Sequence, residues 1–133
     1  MNKKASNGGP LFGLKVIEFE GIGPAPLAGQ LLSDLGAEVI KVCRKAVNKT
    51  PVNILDRRKN IIVLDLKKSS DKKLARKFIG KTDVLIEGFR PGVMERLELG
   101  PKDCEKINPN LIYGRITGWG QDGPYSQKAG HDI

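Results

Sequence analysis

The sequence predicts an α/β fold: a Rossmann-like, largely parallel sheet with flanking helices, forming an incomplete N-terminal part of a larger fold. Three observations carry this expectation. Five short segments rich in β-formers recur along the chain, helical patterns lie between them, and Gly- or Pro-bearing turns mark the changes of period. The chain then stops at Lys128-Ala129-Gly130-His131-Asp132-Ile133, just past a glycine-rich run, with no closing element.

The elements follow in order. Residues 1–12 are polar and read as a loose N-terminal segment; 13–133 form the truncated α/β domain. Lys15–Glu20 alternates and predicts a strand. Gly21–Pro26 is a turn, with Pro26 suited to a first helical position. Leu27, Leu31, Leu32 and Leu35 fall at helical spacing, and Gly36 is a natural stop. Glu38–Cys43 is a second strand. Residues 44–60 are basic and irregular, too long for a tight connection, and so suspected of binding something. Ile61–Leu66 is a third strand. Ser70 is placed to cap a helix running to about Ile79, with Asp71 in its favourable first turn. Asp83–Glu87 is a fourth strand, followed by the Gly88–Gly92 turn, a short helix through Leu97 and another over Pro101–Ile107. Leu111–Ile116 is a fifth strand, and 117–130 form a glycine-rich loop. In such sheets ligands bind beyond the carboxyl ends of the strands. The loops to watch therefore follow Glu20, Cys43, Leu66, Glu87 and Ile116.

With 133 residues, 39% of them hydrophobic and 29% charged, the composition is that of one soluble globular domain rather than a disordered chain. No apolar run approaches the roughly 20 residues of a membrane helix. Lys3 and Lys4 precede no apolar stretch, so no secretory signal is read, and Cys43 and Cys104 fit no pairing or metal motif. The expectation is a cytoplasmic protein, or an organelle-matrix one in a eukaryote, with reduced cysteines, no metal and no membrane association. The net charge of +8 suits an anionic partner. Nucleic acid is the default candidate, but aromatic content of 5% offers no stacking platform. A phosphate-bearing small molecule matches equally well, as does a merely solvated basic face.

Gly118, Gly120 and Gly123 spell G-x-G-x-x-G after a strand, yet Pro124 and the polar residues beyond do not open a helix; this is a loop rather than a dinucleotide fingerprint. The second strand ends in Cys43-Arg44-Lys45, where a NAD site would carry a carboxylate. Cations there suit a phosphorylated ribose, as in NADP or coenzyme A, or are simply a solvated pair. Arg90 and Arg96 bracket the fourth-strand turn. They either grip a diphosphate or are surface charges beside Glu95 and Glu98. Trp119 lines an apolar channel or anchors its loop. His131, the only histidine, is either a surface histidine or a proton-transfer group.

Six stretches occur in a familiar order: Gly13-Leu14-Lys15-Val16-Ile17-Glu18, Leu35–Val42 (LGAEVIKV), Asp83–Gly92 (DVLIEGFRPG), Asn108–Tyr113 (NPNLIY), Thr117–Pro124 (TGWGQDGP) and Ala129–Ile133 (AGHDI). In these the chain resembles the family III coenzyme A transferases (CaiB/BaiF), and within them the α-methylacyl-CoA racemases, from about residue 10 onward. The resemblance implies an enzyme that binds an acyl-CoA thioester and interconverts (2R)- and (2S)-2-methylacyl-CoA, with coenzyme A as part of the substrate, no prosthetic group, no nucleic-acid partner and an interlocked homodimer. Residue by residue, it implies that Arg44 contacts the adenosine phosphate, that Leu64, Asp65, Leu66 and Lys67 run along the coenzyme, that Gly88, Phe89 and Arg90 form the next contact, and that Arg96 meets a phosphate. Gly130 and His131 match the catalytic loop, continued by Asp132 and Ile133. Transferases similar to formyl-CoA transferase usually carry tyrosine where His131 stands, so histidine favours the racemase over a CoA transfer between carboxylic acids.

The chemistry is consistent with that assignment. A hydrogen beside a thioester carbonyl is weakly acidic, so its removal needs a placed base and stabilisation of the enolate oxygen. A neutral imidazole suits one face, and inversion needs a second group on the other. The family's second group is a carboxylate well beyond position 133. The chain by itself is therefore expected to bind coenzyme A weakly and not to turn over. Neither Asp122 nor Asp132 is a substitute; both read as loop carboxylates. A reading from another class is a non-catalytic basic module for nucleotides or RNA.

Overall fold

The computed structural model describes residues 8–44 and 53–130. Five strands, β1 (Lys15–Phe19), β2 (Glu38–Cys43), β3 (Asn60–Val63), β4 (Val84–Glu87) and β5 (Ile112–Arg115), form one sheet in the order β3-β2-β1-β4-β5. Every pairing is parallel; Ile17 lies opposite Ile40 on one side and Leu85 on the other. The α/β, parallel-sheet expectation is met. The helices are α1 (Pro24–Asp34), α2 (Ser69–Ile79), α3 (Val93–Arg96) and α4 (Pro101–Ile107).

Alternation along the strands divides the core in two. Ile17, Phe19, Val42 and Leu85 point to one face and pack with Ala75 and Ile79 of α2, Met94 of α3 and Cys104 of α4. Val16, Val39 and Ile86 point to the other, against Ala25 of α1 and Ala37. The described part of the 1–12 segment turns back onto this second layer: Leu11 packs there, and its N–H donates to Leu35 O at 3.0 Å.

Several local expectations are corrected. Helix α1 begins with Pro24, not Pro26, at its first turn. Its buried face is Ala25, Pro26, Gly29, Gln30 and Ser33, whereas Leu27, Leu31 and Leu35 are exposed and only Leu32 packs inward. Small residues face the sheet because α1 lies close over it: a Cβ on Gly29 would fall 1.9 Å from Glu18 Oε2. Strand β3 stops at Val63, so Leu64, Asp65 and Leu66 lie beyond the strand end. Ser70 does not cap α2; its hydroxyl donates to Asp71 Oδ1 at 3.0 Å, and no side chain caps the N-terminus. Instead Asp71 Oδ2 accepts the Asp65 N–H at 2.9 Å and stitches the β3–α2 turn to the helix.

The long basic connection is structural where it is described. Residues Ile54–Asp56 form a 3₁₀ turn, Asp56 pairs with buried Lys41 at 2.6 Å, and Lys59 is buried against Glu18. Residues 45–52, Lys45 included, lie outside the described part. Among the described residues no helix is long and apolar enough to cross a membrane.

All strand carboxyl ends meet one edge of the sheet. The chain moves outward from β1 to β2 and β3, then crosses back to β4 and β5. The loops after β1 and β4 therefore diverge, and that crevice is where open α/β sheets receive ligands.

Candidate functional site

Two clefts lie along this edge. The first, about 380 Å³, opens beyond β1, β2 and β3. Its floor is apolar: Phe19, Val42, Leu64 and Leu97. Arg44, Lys67 and Arg96 supply cations from the ends of β2, the β3–α2 turn and α3. All three are exposed, and no side-chain hydrogen bond or ion pair engages them among the described residues. Glu20 Oε2 accepts the Arg44 N–H at 2.9 Å and so holds the backbone from which that guanidinium springs. Asp65 Oδ1 accepts the Lys67 N–H at 3.1 Å, closing the turn that carries Leu64 to Lys67. The Asp65 N–H is in turn the main reason the Asp71 carboxyl sits below its ordinary range. Cys43 also lines this cleft. Burial pushes its thiol up, so it stays protonated and inert at neutral pH. An apolar floor under free cations suits a ligand with a flat apolar group and several phosphates.

The carboxylates expected beside Arg90 and Arg96 are engaged elsewhere. Glu95 pairs with Arg115, and Glu98 pairs with Lys72 at 2.5 Å.

The second cleft, about 390 Å³, occupies the β1/β4 crevice. Gly88, Phe89 and Arg90 form one wall, Ile22, Pro24 and Ala25 another, and the loop after β5 closes it through Gly118, Lys128 and Gly130. Phe89 lines both clefts and is the partition between them. Its N–H donates to Glu87 Oε2 at 2.7 Å. Glu87 is buried at the end of β4, and burial, opposed by that N–H and by Arg115, pushes its carboxyl above the ordinary range.

The glycine-rich loop has no helix or strand between 117 and 130. It is fastened to itself: the Trp119 indole N–H donates to Ala129 O at 3.0 Å, the ring lies 5.6 Å from that of Tyr125, and Gly118 packs directly on Gly130. A Cβ on either glycine would fall 2.6 Å from the other's Cα. Trp119 is thus an anchor of its loop and lines neither cleft. The chain leaves the described part at Gly130, on the wall of the second cleft. His131, Asp132 and Ile133 lie outside the described residues.

Residues 11–133 match the family description CoA-transferase family III. The chain belongs to that family. Its family III relatives include the alpha-methylacyl-CoA racemase of Mus musculus, 46% identical over 92% of this chain, and that of Homo sapiens, 43% identical over 92%. A Mycobacterium tuberculosis relative named Probable fatty acyl-CoA transferase Rv3272 is 40% identical over 93% of the chain. A crystal structure of Rv3272 superposes with a TM-score of 0.84, covering 93% of this chain and 38% of that one. The chain spans about a third of the length of these relatives: 32% of each racemase and 35% of Rv3272.

Within this family III fold, the expected residues divide cleanly. Arg44, Leu64, Asp65, Leu66, Lys67 and Arg96 line the first cleft, Gly88, Arg90 and Gly130 the second, and Phe89 both. Glu20, Glu87 and Arg115 were not among them. Glu20 and Glu87 each end a segment already read as leading into a binding loop; Arg115 carries no local signal, because its carboxylate partners, Glu87 and Glu95, come from β4 and α3. Among the described residues, no three His, Cys, Asp or Glu side chains group to hold a metal ion.

Proposed function

We propose that this chain forms the coenzyme-binding part of an enzyme that interconverts (2R)- and (2S)-2-methylacyl-CoA. The observation that carries the reading is the pair of clefts joined at Phe89: a cation-rimmed, apolar-floored cleft beside one whose wall ends on Gly130, the residue bonded to His131. In this reading Arg44 and Arg96 take the phosphates of the coenzyme, Leu64 to Lys67 border its nucleotide, and the pantetheine arm passes Phe89 into the second cleft. The thioester then lies beside Gly130, and Asp132 and Ile133, which follow His131 in the sequence, are assigned to the same coenzyme contact by the family resemblance alone.

His131 removes the hydrogen at carbon 2. The electron pair of the broken C–H bond moves onto the thioester oxygen, giving an enolate, and the proton resides on the imidazole. A carboxylic acid from the family's downstream region returns a proton to the opposite face, and the roles reverse for the other stereoisomer. No prosthetic group enters. The interlocked homodimer belongs to the same proposal and is supported by the exposed Leu27 and Leu31 on α1 and Leu35 just past its end. So does placement in the cytoplasm or an organelle matrix.

The test uses a chain extended past Ile133 to the family's full length. Isothermal titration with an acyl-CoA should show binding, and His131→Ala should abolish deuterium exchange at carbon 2 for at least one stereoisomer. Absence of binding, or unchanged exchange for both stereoisomers, would overturn the proposal. The relative named as a transferase favours a second reading, CoA transfer between carboxylic acids. Incubation with one thioester and two acids separates them: racemisation without acid exchange supports the first, acid exchange the second.

A further inference from the structure

Arg115 stands on β5 and lines neither cleft, yet its guanidinium faces three segments that do. Nη1 donates to Gln121 Oε1 at 2.6 Å, reaching the glycine-rich loop of the second cleft. Nη2 pairs with Glu95 of α3, whose neighbours Arg96 and Leu97 line the first cleft. Nε faces Glu87 Oε1 at 3.5 Å, and the other Glu87 oxygen holds the N–H of the Phe89 partition. The guanidinium also lies 5.5 Å over the Tyr113 ring, and only 20% of the side chain is exposed.

A planar fork with donors in fixed, divergent directions is suited to this arrangement, and an ammonium, a point charge, is not. We infer that Arg115 is a positioning residue: it holds the α3 wall, the Phe89 partition and the loop ending at Gly130 in one register without touching the ligand. The inference rests on the proposed use of the two clefts by one acyl-CoA. Coenzyme A bound in the first cleft braces α3, and through Arg115 and Gln121 that bracing reaches the loop that carries His131.

The experiment compares Arg115→Lys, Gln121→Ala and the double variant in the full-length protein. Gln121→Ala severs the loop arm alone and leaves no buried charge unpaired, so it reports even where Arg115→Lys folds poorly. Each single variant should lower kcat for exchange at carbon 2 by about three- to tenfold, the size of one lost hydrogen bond. KM for the thioester and the affinity for coenzyme A alone should stay within about twofold, and the double variant should be no worse than Arg115→Lys. Trp119, the only tryptophan, gives a second readout. Coenzyme A should shift its emission in the unmodified protein and not in Gln121→Ala. An unchanged kcat, a parallel fall in coenzyme affinity, or additive losses would overturn the inference. If the unmodified protein binds no coenzyme A, the proposed function fails. The link itself is then judged on the free protein, where Trp119 emission identical in Gln121→Ala overturns it and a shifted emission upholds it.

Discussion

Lys59 Nζ lies 2.6 Å from Glu18 Oε2, with both side chains wholly removed from solvent. The ammonium also donates to Pro26 O at 2.9 Å, while Glu18 Oε1 has no hydrogen-bond partner among the described residues. Beside this pair, Lys41 and Asp56 form a second one, also nearly buried. Two desolvated pairs cross-link β1, β2, the start of α1 and the chain entering β3. The strands whose carboxyl ends frame the first cleft are thereby tied to one another within the sheet. Removing one partner of a buried pair strands the other charge, whereas removing both removes the problem. Lys59→Met should therefore lower unfolding stability by about 3–5 kcal/mol, and Glu18→Leu with Lys59→Met should recover most of that loss. Urea denaturation of the three proteins checks it; equal losses in the single and double variants would refute the account.

Gly29→Ala should destabilise, although alanine favours helices by up to about 1 kcal/mol over glycine. The added methyl would lie 1.9 Å from Glu18 Oε2 and 3.2 Å from Lys59 Nζ. Overpacking of this kind costs about 1–3 kcal/mol, so the net change is a lower melting temperature. A variant that melts higher would show that α1 can lift from the sheet at little cost.

Glu87 sets a pH dependence of definite sign. Its folded carboxyl is held above the ordinary value of 4.5, chiefly by burial. Between the unfolded and the folded value the native state binds more protons than the unfolded chain, so unfolding stability falls as pH rises through that window. Glu87→Gln keeps an oxygen for the Phe89 N–H and removes the titration. Denaturation at a series of pH values from 4 upward should show a decline in the unmodified protein that flattens in Glu87→Gln. Parallel profiles would count against a raised Glu87.

Gly118→Ala should deform the second cleft and leave the first intact. The new Cβ would fall 2.6 Å from the Cα of Gly130, so one of the two backbone segments must move. The expected result is a shifted Trp119 emission, with coenzyme A affinity changed by less than about twofold, since no wall of the first cleft is touched. An unaltered emission would mean that the two glycines are not in contact.

Arg44→Ala should distinguish ligands that differ by one phosphate. Coenzyme A should bind about tenfold more weakly, as for a lost charge-assisted hydrogen bond, whereas 3′-dephospho-coenzyme A should bind nearly as before. The difference should shrink with added salt, because Arg44 is exposed. Equal losses for both ligands would place Arg44 away from that phosphate.

The order and type of the elements were legible without coordinates, because period and turn chemistry are local. Alternating β-formers, Pro101 opening α4 and the Gly88–Gly92 turn each act within a few residues. The loops at the carboxyl ends were legible for the same reason, and with them Arg90, whereas Leu64 to Lys67, Gly88 and Phe89 were legible only through the resemblance to the family. What tertiary structure alone decided is pairing over distance. The order β3-β2-β1-β4-β5 brings Arg44, Leu64 and Arg96, scattered along the chain, around one cleft. It buries Lys59 against Glu18, although a lysine in a basic stretch looks the same whether it meets water or a carboxylate. It also turns Leu27, Leu31 and Leu35 outward, since helical spacing reveals a stripe but not which side of it faces the sheet. Such outcomes depend on which surfaces exclude water together, and that is settled only when strands far apart in the chain lie side by side.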